Sequence, residues 1–433
     1  MRSIERDRFA QDTEKIKGIV KIEKEDHKMR RGLVIVSVVL LAVPLALPVF
    51  SQSTKTSSLS VNPIKIGGSL PLTGIFSETA KWVKAGYDFW GEDINRRGGL
   101  LGRPVQMITY DDESSVEKAV MYYERNITVD KVDLVFGGYP GASVVALMPL
   151  MEKYGKVFVG QGGASMKSFE QGYTYSFGSP PLLGEWVYIA LIGVLDDLIP
   201  KEQWPKSMAI LNMNNVIGLS QRENLSKAAE QRGVKVVVDE IYNLPLSDAT
   251  PLVSKAKMRG AEVLACMSFF DDGVMIMRAA KAMNYNPKLI FQILAPTVPA
   301  WMRELGEDGN NVISNMWWHP SLPFSDNKRI NEAAKAKFGI PVAPNFFGLG
   351  YCYMKTLELA VQGAGTLDNG KIRDYLRSNK FDLPYGVGIT FDKRGLPRPY
   401  AFTSQTTGGK VELVWPKNIA TTKLAYPRPN WSK

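Results

Sequence analysis

From Ile64 onward the chain alternates short apolar runs with longer stretches in which apolar residues recur every three or four positions. Ile64-Lys-Ile-Gly-Gly-Ser-Leu70 reads as a strand. Val83, Tyr87, Trp90 and Ile94 then fall at helical spacing, and Gly98-Gly99 stops that helix. Val105 to Tyr110 is a second strand, and Ser114-Ser-Val-Glu117 has the spacing of a capping box opening the next helix. Val132 to Phe136 forms a strand running into Gly137-Gly-Tyr-Pro-Gly141; a helix to Lys153, the strand Val157 to Val159 and the turn Gly160 to Ser165 follow. The pattern restarts with a helix at about 183–198 and strands at Met208 to Leu211, Val234 to Val238, Glu262 to Met267 and Leu289 to Leu294. Helices at about 219–232, 250–259 and 273–283 separate those strands. After Val312 to Trp318 come helices at about 346–363 and 370–378, strand-like sequence and a Pro-rich end. Alternation of this kind predicts an α/β fold with parallel sheets and crossover helices. Two such units predict two doubly wound lobes facing a cleft, where strand carboxyl ends and helix N-termini meet.

The first sixty residues read differently. Lys28-Met-Arg-Arg31 precedes an apolar run from Gly32 to Phe50 that ends in Val-Phe-Ser-Gln-Ser, the layout of a signal peptide. Val49 and Ser51 place cleavage before Gln52, and Pro44 and Pro48 suit a cleaved signal better than a permanent span. An uncleaved anchor is the alternative, since the run is just long enough to cross a bilayer. Residues 1–28 are too charged and too long for a signal's basic region, so Met29 is expected to be the true start, with 29–51 as the signal. No cysteine stands at the cleavage position, which argues against a lipid anchor.

Composition narrows the chemistry. Two cysteines, Cys266 and Cys352, and two histidines, His27 and His319, leave little material for Cys/His zinc sites or a Ser-His-Asp triad. Both cysteines sit in apolar element patterns, so buried free thiols are expected. The net charge of +10 comes from scattered basic residues without a Lys/Arg block beyond the signal, which gives no support to nucleic-acid binding.

The motifs divide between ordinary and functional readings. Gly365-Thr-Leu-Asp-Asn-Gly-Lys371 begins like a phosphate-binding loop, but Ile372 stands where Ser or Thr is needed and a helix precedes it; a helix–helix turn is expected. Gly160 to Ser165 lacks dinucleotide-binding spacing. It is either a plain turn or a place where a ligand approaches backbone N–H groups. Phe269-Phe-Asp-Asp272 ends a strand and starts a helix, so its aspartates either cap the helix or join an aromatic wall beside a ligand. Trp317-Trp318-His319 reads as core or hinge packing. No nucleophile, base and orienter come together, and no G-x-S-x-G elbow is present.

Taken in order, several stretches resemble one family. They are Ile64 to Gly74, Asp93-Ile-Asn-Arg-Arg-Gly-Gly-Leu-Leu-Gly-Arg103, Tyr110-Asp-Asp112, Gly160 to Ser165, Phe381 to Gly388 and Phe391-Asp392. Over roughly 62–416 the chain resembles the bacterial periplasmic solute-binding proteins of the branched-chain amino acid and amide type, receptors of ATP-driven importers. The resemblance implies two α/β lobes joined by three crossover strands, with lobe one at 62–180 plus 321–391, lobe two at 181–320 plus 392–416, and a tail at 417–433. It further implies a monomer in the periplasm that closes on a small molecule, needs no cofactor and delivers its ligand to a membrane permease. Carboxylate-binding positions of the family fall on Gly141, Ala142, Ser143, Gly163 and Ser165. Aromatic cleft positions fall on Phe269 and Phe346, with Tyr139 beside them. Ile217 replaces a usual tyrosine, and Thr297 replaces the glutamate that neutralises an α-ammonium. A desolvated ammonium lacking a counter-charge is costly, so a standard amino acid fits only if Asp271 or Asp272 substitutes. An apolar or aromatic carboxylate, or an amide, suits the aromatic positions.

Three functions compete: an uptake receptor, a membrane-tethered sensor with the same binding fold, and a secreted hydrolase. Residues 1–28 offer no signalling domain, and histidine is too scarce to favour a hydrolase. If the uptake reading holds, protein recovered from a bacterial periplasm should begin at or near Gln52 by N-terminal analysis. An intact 32–50 segment in the membrane fraction would instead favour the tethered sensor.

Overall fold

The computed structural model describes residues 62–160, 165–180, 184–399 and 401–431; the segments expected to form the extension and signal, and Gly163, lie outside the described residues. In the first lobe β1 (Ile64–Leu70) lies between two parallel neighbours, β2 (Val105–Asp111) and β3 (Leu134–Val135). Helices α1 (Ser77–Arg96), α2 (Val116–Thr128) and α3 (Gly141–Tyr154) follow these strands in turn. β4 (Phe158–Gly160), the short α4 (Met166–Phe169) and β5 (Ser176–Gly178) complete the unit, with β4 and β5 parallel.

The second lobe is one seven-stranded sheet in the order β14-β13-β10-β9-β8-β6-β7. Its parallel part comprises β6 (Ser207–Met213), β7 (Lys235–Tyr242), β8 (Val263–Met267), β9 (Leu289–Gln292) and β10 (Val312–Met316). The antiparallel pair β13 (Phe402–Thr407) and β14 (Lys410–Trp415) extends it. Helices α5 (Tyr188–Leu198), α6 (Val216–Glu230), α7 (Thr250–Met258), α8 (Phe270–Ala282) and α9 (Ala300–Leu305) alternate with its strands. The chain then returns to the first lobe for α10 (Asn327–Phe338), α11 (Asn345–Ala364), α12 (Asn369–Ser378) and the hairpin β11 (Phe381–Leu383) and β12 (Gly386–Ile389). It thus crosses between lobes three times, after β5, after β10 and after β12. This is the α/β architecture of two doubly wound lobes that the sequence pattern predicts, with the three crossings that the family resemblance implies.

Elements of few apolar residues escape the sequence pattern. Helix α10 is unforeseen because only Asn327, Ile330 and Ala334 are buried on it, too few for a periodic signal. The capping box moves by one residue. Ser115 caps α2 by accepting from Lys118 N, while Ser114 Oγ accepts from Phe76 N and donates to Thr73 O, tying the two loops that follow β1 and β2. The phosphate-loop-like stretch is a turn as expected: Gly365 has φ 64°, and Asp368 caps α12 by accepting from Lys371 N. Both cysteines are buried and free. The Pro-rich end, which stands apart from the core pattern in the sequence, is held against the second lobe. Gln405 exchanges two hydrogen bonds with Ala425, and Trp431 Nε1 donates to Tyr285 O.

The first lobe is knitted by the close approach of α1 and α11. A Cβ at Gly86 would come within 2.2 Å of Phe347 O, and one at Gly350 within 2.2 Å of Val83 O, so neither position accepts a side chain without separating the helices. Beside them Glu358, 1% exposed, accepts from Trp90 Nε1, from two nitrogens of Arg97 and from Lys355. A carboxylate so deeply buried is tolerable because every partner is a donor, most of them cationic. Gly350→Val should therefore lower stability by about 2–3 kcal/mol, as overpacked sites do, read as a shift in denaturant midpoint. Gly365→Asn, in open space at a left-handed position that asparagine tolerates, should cost less than about 1 kcal/mol.

Candidate ligand cleft

A sheet in which strand order reverses leaves a crevice beyond the carboxyl ends of the two strands at the reversal. In the first lobe that point lies between β1 and β3, and in the second between β6 and β8. The loops leaving these four strands and β7 meet in a cleft of about 300 Å³, lined from the first lobe by Ile75, Phe76, Pro140, Gly141 and Ala142. The second lobe supplies Asn214, Asn215, Val216, Ile217, Asn243, Leu244 and Phe269. Phe76 and Phe269 meet edge-on across the cleft, with ring centroids 4.8 Å apart.

The polar character of this cleft comes mainly from helix ends. Helix α3 starts at Gly141 after the extended Pro140, with no side-chain cap, and its first backbone bond runs from Val144 N to Pro140 O. Among the described residues the N–H groups of Gly141, Ala142 and Ser143 have no acceptor, and the first two of these residues line the cleft. Helix α6 starts on the opposite wall, where Asn215 caps it by accepting from Gly218 N. Helix α8 starts behind Phe269, again without a side-chain cap. Three helix N-termini thus bring positive dipole ends to one apolar cleft, a setting that favours an anion.

Of the residues expected at the ligand, Gly141, Ala142, Ile217 and Phe269 line the cleft together. Tyr139, Ser143, Thr297 and Phe346 are buried and do not line it. Tyr139 is buried, its hydroxyl 2.6 Å from Thr79 Oγ1 and its ring edge-on to Phe346 at 5.8 Å. Thr297 is 2% exposed, and its hydroxyl donates to Leu294 O, so it is occupied within its own turn. Ser165 precedes α4 beside Glu185, whose carboxylate accepts from Met166 N. Burial raises the pKa of Glu185. An acid beside Ser165 is absent from the sequence reading, because nothing in spacing joins residues 165 and 185.

The two aspartates at the start of α8 part company. Neither occupies the N-cap position, which is Phe269; both stand in the first turn, where a carboxylate complements the helix dipole. Asp272 is 3% exposed and accepts from Tyr242 OH at 2.5 Å. Asp271 lies at the surface two residues beyond Phe269, and partial desolvation together with the charges of Glu78 and Glu304 raises its pKa. Phe76, Asn214 and Asn243 are cleft residues that the sequence reading missed. A search of the loops one to three residues beyond each strand end would have found Asn214 and Asn243, but not Phe76.

Among the described residues no group of His, Cys, Asp and Glu is arranged to hold a metal ion, and no helix is long and apolar enough to cross a membrane. A sequence profile described as "Periplasmic binding protein" matches residues 63–410. The chain belongs to the periplasmic binding protein family. The family binds solutes. Among its relatives is the leucine-, isoleucine-, valine-, threonine- and alanine-binding protein of Pseudomonas aeruginosa, 24% identical over 80% of this chain and 90% of the relative. Among solved structures, the leucine-binding protein LivK of Thermotoga maritima superposes with a TM-score of 0.72 at 18% identity, covering 81% of this chain and 97% of its own. A solute-binding protein of an ABC transporter from R. palustris, solved with benzoate, gives a TM-score of 0.72 at 15% identity, covering 81% and 95%.

Asp272 gives this periplasmic binding protein a pH signature. Burial pushes its pKa up to about 6, against the hydrogen bond from Tyr242. The unfolded chain loses this proton near pH 4, as an ordinary aspartate does. The folded state then holds the extra proton, so its stabilising contribution is complete below that pH and is lost as pH rises through about 6. Asp112, also pushed up to about 6 by burial, acts in the same direction. Asp272→Asn should flatten the fall in stability between about pH 4 and 6 by on the order of 2–3 kcal/mol, measured by denaturant titration across that range. The part due to Asp112 should remain.

Proposed function

We propose that the protein is the exported solute receptor of an ATP-driven importer, closing its lobes over a small apolar or aromatic carboxylate, or an amide, and presenting it to a membrane permease. The uncapped N-terminus of α3 opening on an apolar cleft is the observation that carries this reading. Its free N–H groups suit one acceptor end of a ligand. Phe76, Ile217 and Phe269 suit an apolar body. No residue of the cleft lining is ionisable, which disfavours a fully desolvated ammonium.

A second reading, an α-amino acid, is supported by Asp271. It lies two residues beyond Phe269, feels the charge of Glu78, and could meet an ammonium at the cleft mouth. The relative from P. aeruginosa, named for five amino acids, points the same way.

Calorimetry with leucine beside its des-amino analogue separates the two. The first reading expects the analogue to bind at least tenfold more tightly, a difference of about 1.4 kcal/mol. Tight leucine binding that Asp271→Asn abolishes would establish the second. Receptor closure should also lower the radius of gyration in small-angle scattering when a bound ligand saturates the protein.

A further inference from the structure

The tail beyond β14 builds a second cavity, remote from the cleft. Residues 417–433 lie past the end of the profile match at residue 410, yet the tail is pinned across the second lobe. Tyr426 OH donates to Gln203 O, Arg428 N to Lys288 O, Trp431 N to Asn286 Oδ1 and Trp431 Nε1 to Tyr285 O. These acceptors stand in the loops that lead into β6 and β9, whereas the cleft lies beyond the far ends of β6 and β8. Tail and cleft thus occupy opposite edges of one sheet. The length of β6, seven residues, separates them by about 20 Å.

Between the tail and the turn that precedes β10 is a cavity of about 200 Å³. Glu307, Asp308, Asn310 and Asn311 line one wall, and the segment from Arg428 to Trp431 lines the other. Arg428 is 8% exposed, with its guanidinium carbon 3.8 Å from the centre of the Trp431 ring. Nη1 donates to Pro429 O, but Nε has no acceptor among the described residues. Burial lowers the pKa of this group to about 10, against the charge of Asp308, so it stays a cation near pH 7. A buried cation with an unpaired N–H calls for an acceptor.

The facing wall calls for donors. Asp308 accepts from Lys281 at 2.6 Å, and Asn310 Oδ1 accepts from Gly409 N at 2.9 Å, so both are partly committed within the protein. An anion on Arg428 would face the two carboxylates, and a cation on the carboxylates would face Arg428. A hydroxyl accepts from one wall and donates to the other without a charge. Several hydroxyls on one ring would also reach the amides of Asn311 and Asn430, and the volume suits a single six-membered sugar ring.

We propose that this cavity is a second binding site, for a pyranose sugar, in which Arg428 donates to one ring hydroxyl and Glu307 accepts from its neighbour. The site does not depend on what the cleft binds.

The test titrates the purified protein with the methyl glycosides of glucose, galactose, mannose and N-acetylglucosamine, read by saturation-transfer NMR. At least one should bind with a Kd of about 1 mM or tighter. Arg428→Leu should weaken it about tenfold and Glu307→Ala about threefold. Glu307 is exposed, so its variant keeps the test decisive if the Arg428 variant fails to fold. A trisaccharide of the responding sugar then identifies the source: equal affinity assigns a free sugar, and tighter binding assigns the terminal ring of a glycan. Absence of binding by all four glycosides at about 10 mM, or binding that both substitutions leave unchanged, would overturn the site. Arg428-dependent binding of glycine in place of any glycoside would overturn the sugar and assign the two walls to a zwitterion.

Discussion

Parallel strands force their crossover helices to begin where the strands end. Every helix that follows such a strand therefore presents its unpaired N–H groups at the same edge of the sheet. In this protein two sheets turn those edges toward each other. α3 starts on one wall of the cleft, and α6 and α8 start on the other. The site depends on that constraint more than on any ionic side chain. It lets a cleft lined mainly by Ile75, Phe76, Pro140, Ile217, Leu244 and Phe269 still offer hydrogen-bond donors.

The rest of the molecule holds these edges in place. The first lobe is braced by α1 and α11, pressed together at Gly86 and Gly350 and tied by the buried Glu358. The crossings are fixed by side chains that reach over them. Asn327 joins Trp318 Nε1 to Leu322 O and Pro384 O, and Asn345 holds the backbone of Trp317 and Trp318. His319, buried on the second crossing, donates through Nε2 to Val411 O while Nδ1 accepts from Ser321 N; burial pushes its pKa down to about 4, so it stays neutral near pH 7. The Trp-Trp-His run is thus packing at a joint between lobes.

Much of this fold is legible in the chain. Apolar periodicity locates β1, β2, α1, α3, α11 and most of the second sheet, because each buries a full face and must repeat at the period of its own geometry. Helix α10 and the short β5 bury too little to leave such a trace. The site is legible at Gly141, Ala142, Ile217 and Phe269, which sit at element ends marked by glycine, proline or an aromatic pair.

What the sequence determines by itself is the alternation of elements, the scarcity of catalytic side chains and the family. Each follows from local composition and from motif order along the chain. The tertiary structure alone decides which loops face one another: that Phe76 meets Phe269 although 193 positions apart, that Thr297 is occupied in its own turn, and that Ser165 lies beside Glu185. It also leaves the Asn315 amide, Trp317 Nε1 and Asn345 Nδ2 buried without a hydrogen-bond partner among the described residues. Hydrogen-bond satisfaction is a property of atoms in space, and no spacing along a chain records whether a buried amide has found its acceptor.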